Sequence, residues 1–222
     1  KNIKKKIEQK KLFFSEGFTY RYHPQTIEIL KIINNNEIGK IISMETSFGS
    51  NLLTKKKLFF FNKKKKINPD SRLFNKKLGG GCILDLGCYP SSFSLLIASQ
   101  LKDINYRKFQ IIDVKKEEGE TGVEIDSEAV LKFEGGFYSR IKASFKKDLG
   151  NQSIIYGDKG SLIICNTWHG DRIKKIIGKK NFVINKYYKK NIFSYEIEDI
   201  SKTILMGSNQ TSFPGMTLEQ TL

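Results

Sequence analysis

Val123-Glu124-Ile125-Asp126-Ser127-Glu128-Ala129-Val130-Leu131-Lys132-Phe133-Glu134-Gly135-Gly136-Phe137-Tyr138-Ser139-Arg140-Ile141-Lys142-Ala143-Ser144-Phe145 is written largely in a period of two and broken once, at Glu134-Gly135-Gly136. Side chains on a strand alternate between its faces, so this pattern predicts two strands, 123–133 and 137–145, joined by a tight hairpin. Ala129, Leu131 and Phe133 share one face, and only Val130 among these neighbours is apolar on the other.

Working outward, the same signal recurs in short β-like runs at 109–115, 153–156, 161–165, 172–177 and 181–187, with Gly157-Asp158-Lys159-Gly160 as a second hairpin turn. Towards the N-terminus, Leu12 to Tyr20 is aromatic-rich and reads as a strand. Pro24 then opens a helix at its first position, where no N–H is needed, and Ile29, Ile32 and Ile33 give it one apolar face. Asn34 to Gly39 ends that helix, and 40–49 alternates as a further strand. Residues 51–78 form a long lysine-rich connection containing Phe59-Phe60-Phe61, of a length usually functional or mobile. Dense apolar residues from Cys82 to Leu101 read as a helix that Pro90 kinks or restarts. Tyr195 to Met206 is helical in period, and a short helix follows Pro214-Gly215. Helices and strands first, then an uninterrupted meander, predict an α+β fold: a large, mostly antiparallel, open-faced β-sheet with helices packed on one face.

The 222 residues are 39% hydrophobic, enough for a real core and against disorder. The net charge of +16 raises nucleic acid or an anionic surface as a partner. The lysines, however, are scattered in short runs with an excess of Ile and Asn, and few arginines accompany them to supply forked donors for phosphates and bases. A solvated surface is therefore expected, and nucleic acid is not. Cys82, Cys88 and Cys165 are an odd set without metal-ligand spacing, which points to no metal and to a reducing, cytoplasmic compartment. No run of ~18 apolar residues occurs, and there is no apolar leader.

Chemistry concentrates in Gly79-Gly80-Gly81-Cys82-Ile83-Leu84-Asp85-Leu86-Gly87-Cys88-Tyr89-Pro90. Three glycines let backbone come close to a neighbour or ligand, and on a helix Asp85 and Tyr89 stand one turn apart on one face. They form a candidate acid/base pair. The plain alternatives are a carboxylate at a helix N-terminus and a half-buried packing tyrosine. Arg21, beside Tyr20 and His23, can bind a polar group of a ligand or pair with a carboxylate near Glu16. His23 suits capping or packing at a strand-to-helix junction, and Trp168 beside His169 can stack on a ring or simply pack. No G-x-G-x-x-G follows a predicted strand, so a dinucleotide fingerprint is missing from this sequence.

In order along the chain, Glu16 to Gln25, Glu37 to Ile41, Gly79 to Pro90, Ile155 to Leu162, and Tyr195 to Glu198 with Pro214 to Thr217 resemble the C-terminal domain of the glucose-fructose oxidoreductase, inositol dehydrogenase and MocA-like enzymes. The tyrosine form of the third block resembles the dihydrodiol and xylose dehydrogenase branch, whereas many relatives carry histidine at the position of Tyr89. The resemblance implies that 1–11 is a residual helix from the end of a Rossmann domain and 12–222 a substrate-binding and oligomerisation domain. Complete relatives hold NAD or NADP in the Rossmann domain and use a lysine in a Glu-Lys-Pro motif, and neither has a counterpart here. It further implies hydride transfer at a CH–OH carbon of a sugar, polyol or cyclic alcohol. Tyr89 would be the general acid/base, Asp85 would orient the hydroxyl or the lysine, and Gly80 and Gly81 would lie along the cofactor. Arg21, Tyr20 and Trp168 would lie on the substrate side, and the open sheet face would pair subunits. A second reading is a non-catalytic dimerising or binding module whose basic surface meets an anionic partner.

Overall fold

The computed structural model describes residues 2–57 and 61–221. Among the described residues, five α-helices, α1 (Asn2–Lys10), α2 (Pro24–Asn34), α3 (Cys88–Ala98), α4 (Ile192–Leu205) and α5 (Leu218–Thr221), accompany ten strands. These are β1 (Ile41–Gly49), β2 (Thr54–Lys57), β3 (Phe61–Lys64), β4 (Asn105–Glu118), β5 (Glu124–Glu134), β6 (Tyr138–Ser144), β7 (Ser153–Gly157), β8 (Gly160–Ile164), β9 (Arg172–Ile177) and β10 (Lys180–Asn185). Eight of the strands form one sheet in the order β10-β9-β8-β7-β1-β6-β5-β4, so the α+β architecture with a large, mostly antiparallel sheet is as expected.

The meander is interrupted once. β1 inserts between β7 and β6, antiparallel to β7 and parallel to β6. A buried hydroxyl chain pins it there: Thr46 Oγ1 lies 2.7 Å from Ser153 Oγ, which lies 2.6 Å from Thr167 Oγ1. Both hairpins close where glycines accept the turn. Gly135 and Gly136 adopt φ of 104° and 98° between β5 and β6, and Asp158 caps the Lys40 N–H at 2.9 Å across the β7–β8 turn.

The core lies between the sheet and α2 and α3. Ile29, Ile32, Phe93, Leu96 and Ile97 from the helices meet Met44, Leu131, Phe133, Ile155, Leu162, Ile164 and Ile173 from the strands. Pro24 opens α2 as expected, and His23 before it is fully buried. Tyr188 donates its hydroxyl proton to the Gly170 carbonyl at 2.7 Å and lies 2.9 Å from His23 Nδ1, which the Nδ1–H tautomer satisfies. Burial and the facing His169 hold the His23 pKa down at about 4. His23 is a packed junction residue.

Two expectations are corrected. Leu12 to Tyr20 is not a strand: Phe14 and Glu16 make single bridges to Gln210 and Met216, and Thr19–Tyr22 is a 3-10 turn. Phe18 and Tyr20 are buried by edge-on packing against Tyr89 and Phe93 of α3, not by a ladder. The connection 51–78 contains the β2–β3 hairpin and a 3-10 turn at Lys76–Leu78, with Phe59 and Phe60 of its aromatic run outside the described residues. Of the two readings at Pro90, a kink or a restart, the restart is the one seen. A π turn at Ile83–Gly87 hands over to α3 at Cys88, which puts Pro90 in the first helical turn, where its missing N–H costs little. The stretch Lys76–Ala98 has the length and apolarity of a bilayer-crossing helix, yet it is interrupted by these turns and 61% of its most apolar window is buried inside the protein.

Arg21 ties the N-terminal turn to the rest. It is fully buried, and its Nε donates to Ser92 Oγ at 3.0 Å and Nη2 to the Ser92 carbonyl at 2.7 Å. Its Nη1 donates to the Pro214 carbonyl at 3.1 Å and to Gln220 Oε1 at 3.0 Å. The guanidinium therefore fastens residues 19–22, α3, the C-terminal loop and α5 through neutral acceptors. Removing it leaves several buried acceptors unpaired, each costing about 1–3 kcal/mol. Arg21→Met is expected to lower unfolding stability by at least about 3 kcal/mol in urea denaturation; a loss under about 1 kcal/mol would return Arg21 to a ligand-binding role.

Candidate active site

Asp85 and Tyr89 lie on either side of the junction between the π turn and α3. The glycines before them serve the chain's own packing. A Cβ on Gly80 would stand 2.8 Å from the Leu73 carbonyl and 2.9 Å from the Asn75 N–H nitrogen, and Gly81, at φ 116°, would meet the Glu124 carboxylate at 3.0 Å. Only glycine lets the chain pass between the 73–75 loop and β5 and still launch the π turn. That close approach accounts for glycine at both positions.

Asp85 is mostly buried, its side chain 19% exposed, and Arg72 from the preceding loop donates to Oδ1 at 2.6 Å. Tyr89, half-buried, stands inside an aromatic wall. Its ring meets Phe18 at 5.2 Å, Phe48 at 5.1 Å and Trp168 at 5.6 Å between centroids, all edge-on, and Tyr20 at 6.1 Å. Such contacts, at about 0.5–1.5 kcal/mol each, fix the ring plane. Among the described residues the phenol has no hydrogen-bond partner, and its pKa is raised above the ordinary 10 by burial, then by Cys88, Asp85 and Glu196. Glu196 on α4 accepts from Thr19 Oγ1 at 3.1 Å, while burial raises its own pKa and leaves its Oε1 unpartnered. Burial pushes the Cys82 and Cys88 thiols up to about 11, so neither is a nucleophile near neutrality.

The remaining candidates are structural in position. Tyr20 is 1% exposed, donates to Ser92 Oγ at 3.0 Å and has its pKa raised by burial. Trp168 is 1% exposed, with its indole N–H on the Ser47 carbonyl at 3.0 Å. Neither face of the indole is free to stack on a ring, since Phe48, Tyr20, Phe93 and Tyr89 surround it. Arg21 is fully buried with four of its five N–H groups on acceptors within the chain, and its expected pairing near Glu16 is replaced by the carbonyl and hydroxyl acceptors described above. Tyr20, Arg21 and Trp168 thus build the wall behind Tyr89 and do not line an open site. Among the described residues no three His, Cys, Asp or Glu side chains are placed to share a metal ion.

Sequence reasoning missed Arg72, Phe18, Phe48 and Glu196. The fourth lay in a block already singled out, Tyr195 to Glu198, and Arg72 lay in a loop read only for its length. What the arrangement can do follows from its polar groups: a neutral phenol directed out of an apolar wall, next to an oriented carboxylate, can give a proton to or take one from a hydroxyl presented in front of it.

The sequence profile of the GFO/IDH/MocA C-terminal domain matches residues 26–163. A trans-1,2-dihydrobenzene-1,2-diol dehydrogenase from Danio rerio is 23% identical over 209 residues, 90% of this chain and 56% of the relative. The D-xylose 1-dehydrogenase (NADP(+)) of Hypocrea jecorina is 36% identical over 83 residues, 36% of this chain and 19% of the relative. Among solved structures, an aldose-aldose oxidoreductase from Caulobacter crescentus complexed with glycerol superposes with a TM-score of 0.69 at 20% identity, over 88% of this chain and 55% of that one. A 3-ketoreductase from Actinomadura kijaniata, in complex with NADP and TDP-benzene, gives 0.69 at 19% identity over 90% of this chain and 57% of that one. The chain spans a little over half the length of the dihydrodiol dehydrogenase and of both oxidoreductase structures. With the profile covering well over half of its residues and the sheet, π turn and α3 laid out as described, the chain belongs to the GFO/IDH/MocA family through that family's C-terminal domain.

Proposed function

We propose that this chain supplies the substrate-side half of an NAD(P)-dependent oxidoreductase acting on a CH–OH group of a sugar, a sugar derivative or a related cyclic alcohol. The observation that carries the reading is the Tyr89 phenol, unpartnered within the chain, fixed by four aromatic rings and set beside Asp85. The relatives that act on a dihydrobenzene diol or a xylose, and the neighbours complexed with glycerol or TDP-benzene, support a small hydroxylated substrate. The apolar wall suits the C–H face of a ring, with hydroxyls turned to Tyr89 and Asp85.

A bound nicotinamide would supply or accept the hydride. The tight packing of Gly80 and Gly81 against Leu73, Asn75 and Glu124 supports a cofactor held mainly elsewhere. NAD or NADP is accordingly assigned to polypeptide outside this chain, with 1–11 as the end of that region and 12–222 as the catalytic partner domain. The chain's own contribution is proton management at the Tyr89 oxygen. During oxidation that oxygen takes the hydroxyl proton of the substrate, and during reduction it returns it. Asp85, held by Arg72, fixes the direction from which the hydroxyl approaches.

Burial and neighbouring carboxylates keep the phenol protonated at neutral pH, so a cation must be brought to it before it can serve as a base. The chain alone is therefore inactive, and the cytoplasmic assignment rests on its cysteines remaining as free thiols. In the enzyme completed with its cofactor-binding region, Tyr89→Phe is expected to lower kcat by about 100-fold or more, with NAD(P) affinity unchanged by fluorescence titration. Near-normal turnover would rule out the assignment.

The open face of the sheet is proposed to pair two copies. Strand register puts Ile154, Tyr156, Ile163 and Ile176 on that face beside Glu45, Arg140 and Lys142. The apolar part lies over β7–β9, and on β5 Val130 shares that face. Light scattering should read a dimer of the chain that Ile163→Glu converts to monomer; a monomer for the unmodified chain would contradict the proposal.

A further inference from the structure

α4 turns its polar residues inward and its apolar ones out. Glu196 accepts from Thr19 Oγ1 at 3.1 Å, and Asp199 accepts from the Ser212 hydroxyl. Thr203 is buried and donates to the Asp199 carbonyl at 2.8 Å. With the packing of α4 on the 19–22 turn, these bonds fix which side of the helix meets the protein. Phe193, Ile197, Ile200 and Ile204 recur at helical spacing on another side and form one stripe about 17 Å long. Phe193 is 55% exposed, Ile197 61% and Ile204 49%, and Phe213, the residue after Ser212, is 59% exposed. An amphipathic helix ordinarily buries such a stripe, and a contiguous exposed one marks an interface.

The surroundings of α4 select the occupant. A membrane-surface helix carries lysine or arginine along the border of its stripe. The exposed flank here holds Glu198, Ser201 and Lys202, and Lys190 before the helix is bonded to Glu198, so nothing on it favours an anionic bilayer. A second copy already has the open sheet face. A cofactor-bearing region is favoured by three observations. The chain spans a little over half of its dihydrodiol dehydrogenase relative, so a large part of that enzyme has no counterpart here. α1, assigned to the end of that region, lies against the segment that α4 holds through Ser212: Lys4, Ile7 and Glu8 line a cavity of about 400 Å³ with Asn209, Gln210 and Thr211. Glu196, whose charge is felt at Tyr89, is the residue before Ile197, so the stripe adjoins the candidate site.

We propose that the Phe193, Ile197, Ile200 and Ile204 stripe of α4 is the face on which the cofactor-bearing region docks, through an apolar surface of its own with a cation at the border nearest Tyr89. The inference rests on the reading that such a region completes this chain. A region seated there covers the apolar stripe and brings the missing positive charge to the phenol in one step.

Maleimide labelling of Ile197→Cys, compared between the chain alone and the enzyme completed with its cofactor-binding region, tests the docking without substrate or cofactor; the unsubstituted protein gives the background from Cys82, Cys88 and Cys165. Labelling in the completed enzyme is expected to be at least about ten-fold slower than in the chain alone. Asn181→Cys, exposed on β10, should label equally in both. Phe193→Cys takes the place of Ile197→Cys if circular dichroism shows that variant unfolded. In the completed enzyme, Ile197→Glu should speed labelling at Phe193→Cys about ten-fold. Equal labelling of position 197 in both proteins, self-association of the chain that Ile197→Glu abolishes, or binding to phosphatidylserine vesicles that Ile197→Glu abolishes would each overturn the proposal. An unprotected position 197 in an enzyme that loses turnover with Tyr89→Phe refutes the docking face alone, whereas protection with Tyr89→Phe near-normal refutes the catalytic assignment alone.

Discussion

A buried guanidinium in the 3-10 turn just before α2 fixes where Tyr89 and the rings behind it stand. Arg21 reaches Ser92 on α3, the Pro214 carbonyl and Gln220, and Ser92 follows Tyr89 by one helical turn. The same serine hydroxyl accepts from Tyr20, whose ring forms part of the wall behind Tyr89. One set of hydrogen bonds thus fixes both the helix bearing the phenol and the rings around it. Burying a cation among neutral acceptors is tolerable because four of its five N–H groups are paired inside the chain. Its burial keeps it away from a substrate.

The strands were legible because their evidence is local. Period-two alternation and glycine turns mark 123–145 and 153–177 without reference to the rest of the chain, and Pro24 announces α2 by itself. The insertion of β1 was not legible, since its partners lie about a hundred residues away and are chosen by Thr46 and Ser153, hydroxyl residues that read as polar until they are seen paired and buried. Leu12 to Tyr20 misled for a related reason: aromatic residues favour strands when a neighbouring strand is available, and here helices and a loop were the neighbours.

The candidate site divides in the same way. Asp85 and Tyr89 could be picked out because they sit four residues apart after a glycine triplet. What the triplet is for could not, because its close neighbours Leu73, Asn75 and Glu124 are tertiary. Arg21 and Trp168 looked like ligand groups on residue type alone. Their acceptors, as far as 199 residues away for Arg21, make them framework.

Under the proposed function, the site lacks one component, a cation beside the phenol. Carboxylates and a thiol surround the phenol, Arg72 is engaged by Asp85, and burial adds to the bias towards the neutral form. The most direct test is the ionisation of Tyr89 in the chain on its own, followed by carbon NMR at the labelled phenol carbon and assigned by the signal lost in Tyr89→Phe. A midpoint above the ordinary tyrosine value of 10 is the result this account predicts. A midpoint below about 9 would show that the chain carries its own activating cation, and would contradict the half-site.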